Sequence, residues 1–271
     1  MRKIRQFLVL LIGALIFAGI LLYMFQERLI FLPTKLPDSY TYSFEHSFEE
    51  FTLETPDLAR LNALHFKVTN PKGLILYFHG NAGNLSRWGE VVSIFPAQGY
   101  DVIVMDYRTY GKSTGKLSKQ ALLEDAARFY EHTLTICPQE DIILYGRSLG
   151  SGIVSYLASQ YKPRQIILES PFYSLEAIAK KRFPIFPISK LLRYNLASFE
   201  YLQEVTTPIS IFHGDEDKVI PISSGRKLFE AIPSSSKWFY EIPGGGHNDL
   251  DTFAEFHEGL IQSLERHTHV E

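Results

Sequence analysis

The chain has 271 residues, with 27 Lys and Arg against 30 Asp and Glu and a formal net charge of −3, so no basic surface points to a nucleic-acid partner. Its single cysteine, Cys137, excludes an internal disulfide and a multi-cysteine metal site. Cys137 precedes Pro138 in a turn without a motif and reads as structural, and the chain carries no internal repeat and no low-complexity segment.

Residues 1–6 carry Arg2, Lys3 and Arg5, and residues 7–25 carry no charge at all. As a helix, that run spans roughly 28 Å, close to the thickness of a bilayer's hydrocarbon. A cleaved signal peptide has a shorter apolar region ending in a small-x-small site, whereas this run ends Leu22-Tyr23-Met24-Phe25. We therefore expect a single-pass transmembrane signal anchor. Basic residues before the span stay cytoplasmic, which puts everything after Gln26 on the non-cytoplasmic side, although Arg28 and Lys35 weaken the asymmetry. Residues 26–37 form a membrane-proximal linker whose apolar stretch, 29–32, lies at the membrane surface or against the domain.

Residues 38–268, about 230 in number, suffice for one α/β domain with a full core. Segments 42–53 and 61–69 alternate around Thr55-Pro56-Asp57 and predict antiparallel opening strands. Apolar runs then alternate with helical segments: 74–78 with 85–97, 102–105 with 121–132, and 142–145 with 151–160. The pattern continues through 166–168, 209–212, a helix containing 228–232, a strand at 238–242 and a last helix near 252–266. Buried strands alternating with helices predict a mostly parallel, doubly wound sheet, whose functional groups gather beyond the carboxyl ends of its strands.

At one such end stands Gly146-Arg147-Ser148-Leu149-Gly150, between a strand and a helix. This is the context of a nucleophile elbow, a turn so tight that only small residues fit two before and two after the serine. The following helix aims its N-terminal amides at charge developing beside Ser148. Another strand end carries His79-Gly80-Asn81-Ala82-Gly83-Asn84, where this kind of fold supplies one oxyanion-hole amide; the residue after the nucleophile supplies the other. That assigns the backbone amides of Asn81 and Leu149, and losing one such donor typically costs about 3 to 4 kcal/mol of transition-state stabilisation. His79 reads as a structural, hydrogen-bonded histidine.

The loop Asp106-Tyr107-Arg108-Thr109-Tyr110-Gly111-Lys112-Ser113 contains Gly-Lys-Ser, but a phosphate loop needs glycine where this chain has Asp106, so nucleotide binding is rejected. Asp106 and Arg108 are expected to form a buried polar pair. A serine nucleophile needs an acid and a base, which follow it in this order in such folds. His213-Gly214-Asp215-Glu216-Asp217 leads to Ile220-Pro221, and the spacing selects Asp217, with Asp215 as the alternative. His247, on the glycine-rich loop Pro243-Gly244-Gly245-Gly246 after the last strand, is the expected general base. His257, His267 and His269 fall in a terminal helix or tail and are expected to be solvent-exposed.

These motifs, with Tyr77-Phe78 before His79, Glu169-Ser170-Pro171-Phe172 and His247-Asn248-Asp249, resemble the membrane-anchored α/β-hydrolases of the bud-emergence (Bem) type, grouped with serine-aminopeptidase-like hydrolases. The resemblance covers the whole chain, including the anchor. It implies an α/β-hydrolase fold and a serine hydrolase with Ser148, Asp217 and His247 as its triad, and relatives that remove acyl groups from proteins or lipids. One departure is Thr109, where the family usually has glycine.

Residues 171–205 are the main insertion, in which Phe183, Phe186, Ile188, Leu191 and Leu192 interleave with Lys180, Lys181, Arg182, Lys190 and Arg193. Two roles are open: an ordinary helical cap, or a lid that lines an acyl pocket and meets the bilayer. The expected activity is hydrolysis of an ester or thioester of an acylated lipid or protein, without metal or organic cofactor. An aminopeptidase-like reading would need carboxylates for a substrate amine, with Glu200 and Glu204 as candidates; a catalytically silent membrane scaffold is the other alternative.

Overall fold

A computed structural model describes residues 1–266; His267 and His269 lie outside the described residues. Helix α1 (Arg2–Ile30) has 29 residues and is long and apolar enough to cross a bilayer. Then come β1 (Leu32–Pro33), β2 (Phe48–Glu54), β3 (Arg60–Phe66), β4 (Leu74–Phe78), β5 (Ala82–Gly83), α2 (Leu85–Val92), α3 (Ile94–Ala97), β6 (Asp101–Met105) and α4 (Lys119–Thr133). The second half contains β7 (Ile142–Arg147), α5 (Leu149–Gln160), β8 (Gln165–Glu169), α6 (Leu175–Arg182), α7 (Ile188–Leu191), α8 (Ser198–Tyr201), β9 (Ile209–Gly214), α9 (Ile222–Ala231), β10 (Lys237–Ile242) and α10 (Ala254–Glu265).

Eight strands form one sheet in the order β10-β9-β8-β7-β4-β6-β3-β2. Its β2–β3 and β3–β6 pairs are antiparallel, and the remaining pairs are parallel. The central strands are apolar on both faces. In β4, Leu74, Leu76 and Phe78 join one core with α4 and α5, while Ile75 and Tyr77 join a second core with Trp88, Phe95 and Phe256. Successive side chains leave a strand on opposite faces, so an unbroken apolar run is the mark of a sheet covered on both sides.

Three expected elements differ. The opening strand begins at Phe48, because residues before it pack through side chains: Tyr42 donates to Asn62 Oδ1 at 2.9 Å, and the Phe44 ring occupies the space beside Gly89 in α2. The helix expected over 85–97 divides after Val92, where Pro96 has no N–H for the next helical bond. The last helix starts at Ala254, after a tight turn over Leu250–Thr252.

The linker lies against the domain. Phe31 is buried, and β1 pairs in parallel with β5, with Leu32 opposite Ala82 and Pro33 opposite Gly83.

Candidate active site

Sheet and helix meet at Ser148 in the strained turn that the sequence predicts. Its φ of 53° and ψ of −112° lie in a region that side-chain-bearing residues avoid. Close packing of the backbone holds it there. A Cβ at Gly146 would sit 2.5 Å from the Gly150 carbonyl oxygen, and one at Gly150 would sit 1.9 Å from that of Phe78. Neither contact is possible, so both positions require glycine. The Ser148 N–H donates to Glu169 O at 2.8 Å, which ties the turn to β8.

From the ends of β9 and β10, two more groups converge on this serine. His247 Nε2 lies 2.9 Å from Ser148 Oγ, and His247 Nδ1 lies 2.7 Å from Asp217 Oδ2. With Nδ1–H facing a carboxylate, Nε2 is left to accept the serine proton. The N–H groups of Val219 and Ile220 donate to the other carboxylate oxygen of Asp217 at 2.8 Å each. Burial raises the Asp217 carboxyl, but hydrogen bonds from His213 and His247 and the Ile220 amide outweigh it and hold it well below the usual carboxylate range. Asp215, by contrast, accepts the Gly244 N–H at 2.7 Å on the exposed side of the loop and does not meet His247.

Asn81, Ser148 and Leu149 line one cavity of about 320 Å³, whose other walls are largely apolar, among them Phe172, Ile178 and Phe183 of the insertion. The Asn81 carbonyl accepts the Leu32 N–H at 2.8 Å and the Tyr110 hydroxyl at 2.7 Å. Linker strand β1 therefore braces the loop that carries the expected oxyanion amide. His79 is fully buried, donates from Nδ1 to the Gly80 carbonyl at 2.6 Å and stacks on Trp88; its Nε2 stands 3.4 Å from Asp106, too long for a well-formed hydrogen bond. Burial raises the Asp106 carboxyl against the pull of His79.

The expected Asp106–Arg108 pair does not form. Arg108 reaches instead to Asp125, Nε to Oδ2 at 2.7 Å, and to Asp57, Nη2 to Oδ1 at 2.9 Å, while Asp106 accepts the Leu85 N–H at 3.2 Å. The two charges find partners on different elements, Asp106 at the start of α2 and Arg108 on α4. Thr109 takes φ 75°, the left-handed backbone that favours glycine, which accounts for the family's usual residue there. The loop's Gly-Lys-Ser is structural: Lys112 pairs with Glu50 at 2.8 Å, and the Ser113 hydroxyl donates to Asp106 O at 2.8 Å. Glu200 and Glu204 line a different cavity, beside Tyr161 and Tyr201, and are not brought to Ser148. His257 is exposed.

Three supports were not assigned from sequence. Arg147, between the serine and its first glycine, places Nε 3.0 Å from buried Glu169 Oε1 and donates from Nη2 to the His247 carbonyl at 3.4 Å. Burial lowers its guanidinium, but Glu169 outweighs this and raises it overall. His213 directs Nε2 to the Ile220 carbonyl at 2.8 Å and stands 3.5 Å from Asp217. Both residues lie inside the motifs quoted above, which is the only sequence signal they give. The third support is the end of α1, where Leu29 and Ile30 line the cavity on Ser148. Among the described residues, no group of His, Cys, Asp and Glu is arranged to hold a metal ion.

The family model described as serine aminopeptidase, S33, matches residues 69–199 and 188–251. An uncharacterized protein of Mycobacterium tuberculosis is 30% identical over 258 residues, covering 92% of this chain and 90% of that protein. A protein of Saccharomyces cerevisiae described as an uncharacterized membrane protein is 34% identical over 210 residues, 74% of each chain. Among solved structures, an esterase of Pyrococcus furiosus superposes with a TM-score of 0.67 at 19% identity, covering 86% of this chain and 98% of the esterase. The chain belongs to the serine aminopeptidase S33 family and is a hydrolase of the α/β-hydrolase fold with a candidate membrane-spanning helix at its N-terminus.

Proposed function

We infer that this hydrolase cleaves carboxylic esters or thioesters of acylated, membrane-associated substrates, using Ser148, His247 and Asp217 as a catalytic triad. The observation that carries the reading is the unbroken chain from Ser148 Oγ to His247 Nε2, at 2.9 Å, and from His247 Nδ1 to Asp217 Oδ2, at 2.7 Å. Such a chain turns a hydroxyl into a nucleophile at neutral pH.

Ser148 Oγ attacks the substrate carbonyl carbon as its proton passes to His247 Nε2. Asp217 keeps the imidazole oriented and stabilises its charged form. The carbonyl oxygen becomes an oxyanion held by the backbone amides of Asn81 and Leu149. Collapse breaks the bond to the leaving alcohol or thiol, which takes the proton from His247 and leaves an acyl-enzyme on Ser148. Water then gives its proton to His247, attacks the acyl carbon and frees the acid, and the proton returns to Ser148. Each step uses side chains and amides alone.

The apolar walls of the cavity favour an acyl group over a charged peptide N-terminus, and the separation of Glu200 and Glu204 from Ser148 leaves an aminopeptidase reading without the amine-binding carboxylates proposed for it. The esterase superposition favours the same chemistry. Helix α1 serves as a single-pass anchor, with Arg2, Lys3 and Arg5 cytoplasmic and the hydrolase domain on the other side. The test is labelling of the detergent-solubilised protein with a fluorescent fluorophosphonate. Wild type should label and Ser148→Ala should not; folded wild type that resists the probe in a bilayer as well as in detergent would sink this reading in favour of a scaffold.

A further inference from the structure

The end of α1 leans on the insertion, and the contact is directional. Leu22, Gln26, Leu29 and Ile30 recur at helical spacing and so share one face of α1. That face looks across an apolar groove at Ala179, Phe183 and α7, with a volume of about 60 Å³. Five wall residues are common to this groove and to the cavity on Ser148: Leu29, Ile30, Ala179, Phe183 and Leu192. The two spaces therefore adjoin. From Ile30 back to Leu22, α1 rises about 12 Å, so the groove runs from the serine into the stretch without charge.

A polar clamp sets the width of this groove. Gln26 is buried; its Oε1 accepts the Arg193 N–H at 2.8 Å, and its Nε2 donates to Leu191 O at 3.1 Å. Glu27 accepts from the Tyr194 hydroxyl at 2.8 Å and pairs with Arg193 at 3.1 Å. Farther along α1, a Cβ at Gly19 would lie 3.7 Å from the Phe186 ring, so the tip of the insertion reaches the apolar run as well. Ile185 at that tip is 72% exposed. Lys181, Arg182 and Lys190, before and after it in the chain, are exposed as well, a mix of apolar and basic side chains suited to the boundary between headgroups and acyl chains.

We propose that this groove is a lateral acyl-chain channel. One fatty-acyl chain of a bilayer-resident ester or thioester enters between α1 and the insertion, lies along Leu22 to Ile30, and presents its carbonyl to Ser148. The proposal rests on the hydrolase mechanism above and names the substrate as one held in the membrane. Hydrocarbon is the occupant because the groove's one polar side chain, Gln26, is already engaged at both its amide atoms. The groove's far end, at Leu22, also falls within the charge-free run of α1.

The test uses the full chain in phosphatidylcholine nanodiscs, with 4-methylumbelliferyl butyrate and palmitate as substrates. Leu22→Trp, which fills the far end of the groove, should lower the palmitate-to-butyrate rate ratio by about tenfold, the worth of roughly two methylenes denied burial. A ratio within about twofold of wild type would overturn the channel. Wild type that cleaves butyrate but not palmitate would overturn it too, while leaving the serine hydrolase intact. Failure on both esters together with no fluorophosphonate labelling would remove the mechanism and the channel with it. Should Leu22→Trp fail to fold, wild type can be labelled with a hexadecyl fluorophosphonate carrying a diazirine at its far end. Crosslinks to peptides containing residues 19–26 or 183–192 support the channel, and crosslinks confined elsewhere refute it.

Discussion

Replacing Asp217 with asparagine separates orientation of the base from the packing of its loop. Oδ1 of Asp217 accepts the Val219 and Ile220 amides, and Oδ2 takes Nδ1–H of His247. Asparagine can keep its oxygen on the two amides only by turning its NH₂ towards Nδ1. That favours the tautomer with its proton on Nε2, so the nitrogen facing Ser148 becomes a donor and cannot take the serine proton. Loss of the correct tautomer costs about ten-thousand-fold in kcat, or about 5 kcal/mol of transition-state stabilisation. Short-chain ester turnover per mole of folded protein measures this. A second readout follows from the depressed Asp217 carboxyl. Its stabilisation is fully present above the ordinary carboxylate range and is lost as pH falls through the lower folded-state value. The Tm of Asp217→Asn should therefore fall less steeply than that of wild type below about pH 4. If Asp217→Asn kept kcat within about tenfold of wild type while Asp215→Asn abolished it, the assignment of the acid would be wrong.

Other parts of the site give separate expectations. Glu169→Gln leaves the Arg147 guanidinium buried without its charge partner, which should cost about 3 to 5 kcal/mol and about 6 to 20 °C of Tm for a domain of this size; an unchanged melting curve would show that the pair is dispensable. Leu32→Pro removes the N–H that holds the Asn81 carbonyl, and Phe31 before it is already extended at φ −116° and ψ 127°, as a following proline requires. Losing about 1 kcal/mol of bracing should lower kcat about fivefold with little change in KM, whereas a rise in KM alone would mean that β1 shapes binding instead. A reporter fused to the C-terminus should prove non-cytoplasmic, and a cytoplasmic signal would reverse the orientation of the anchor.

Ser148, Asp217 and His247 were legible because each stands where a local rule changes: an apolar strand run ends, and glycines or a fixed spacing follow. The covered faces of the sheet were equally plain, since residues 74–78, 142–145 and 166–168 read as continuous apolar runs. Pairing between loops was not. Arg108 has Asp106 two residues away, yet it bonds Asp57 and Asp125, 51 and 17 residues distant. Sequence proximity says little about where two side chains on a bent loop point, and a buried charge goes to whichever partners desolvate with it. The start of β2 was misplaced for a related reason: Tyr42 and Phe44 suit a strand by composition, but their rings are satisfied by Asn62 and Gly89 without any ladder.

The end of α1 shows where pattern reading runs out. A helix facing lipid and a helix walling an apolar groove use the same side chains, so no hydrophobic periodicity divides the two faces. What divides them is the polar pair at the end of the run. Gln26 is 6% exposed while Met24, on another face, is 61% exposed. A glutamine kept out of solvent at the edge of a membrane span needs protein partners, and Gln26 finds them at Leu191 and Arg193. Read that way, Gln26 marks the side of α1 that meets the insertion, and Leu22, Leu29 and Ile30 are the apolar residues on that side. Gln26→Leu would keep the helix apolar and remove the clamp. It should therefore leave membrane insertion intact and weaken chain-length discrimination, and a variant that still discriminated between palmitate and butyrate as wild type does would show that the groove holds its width without this residue.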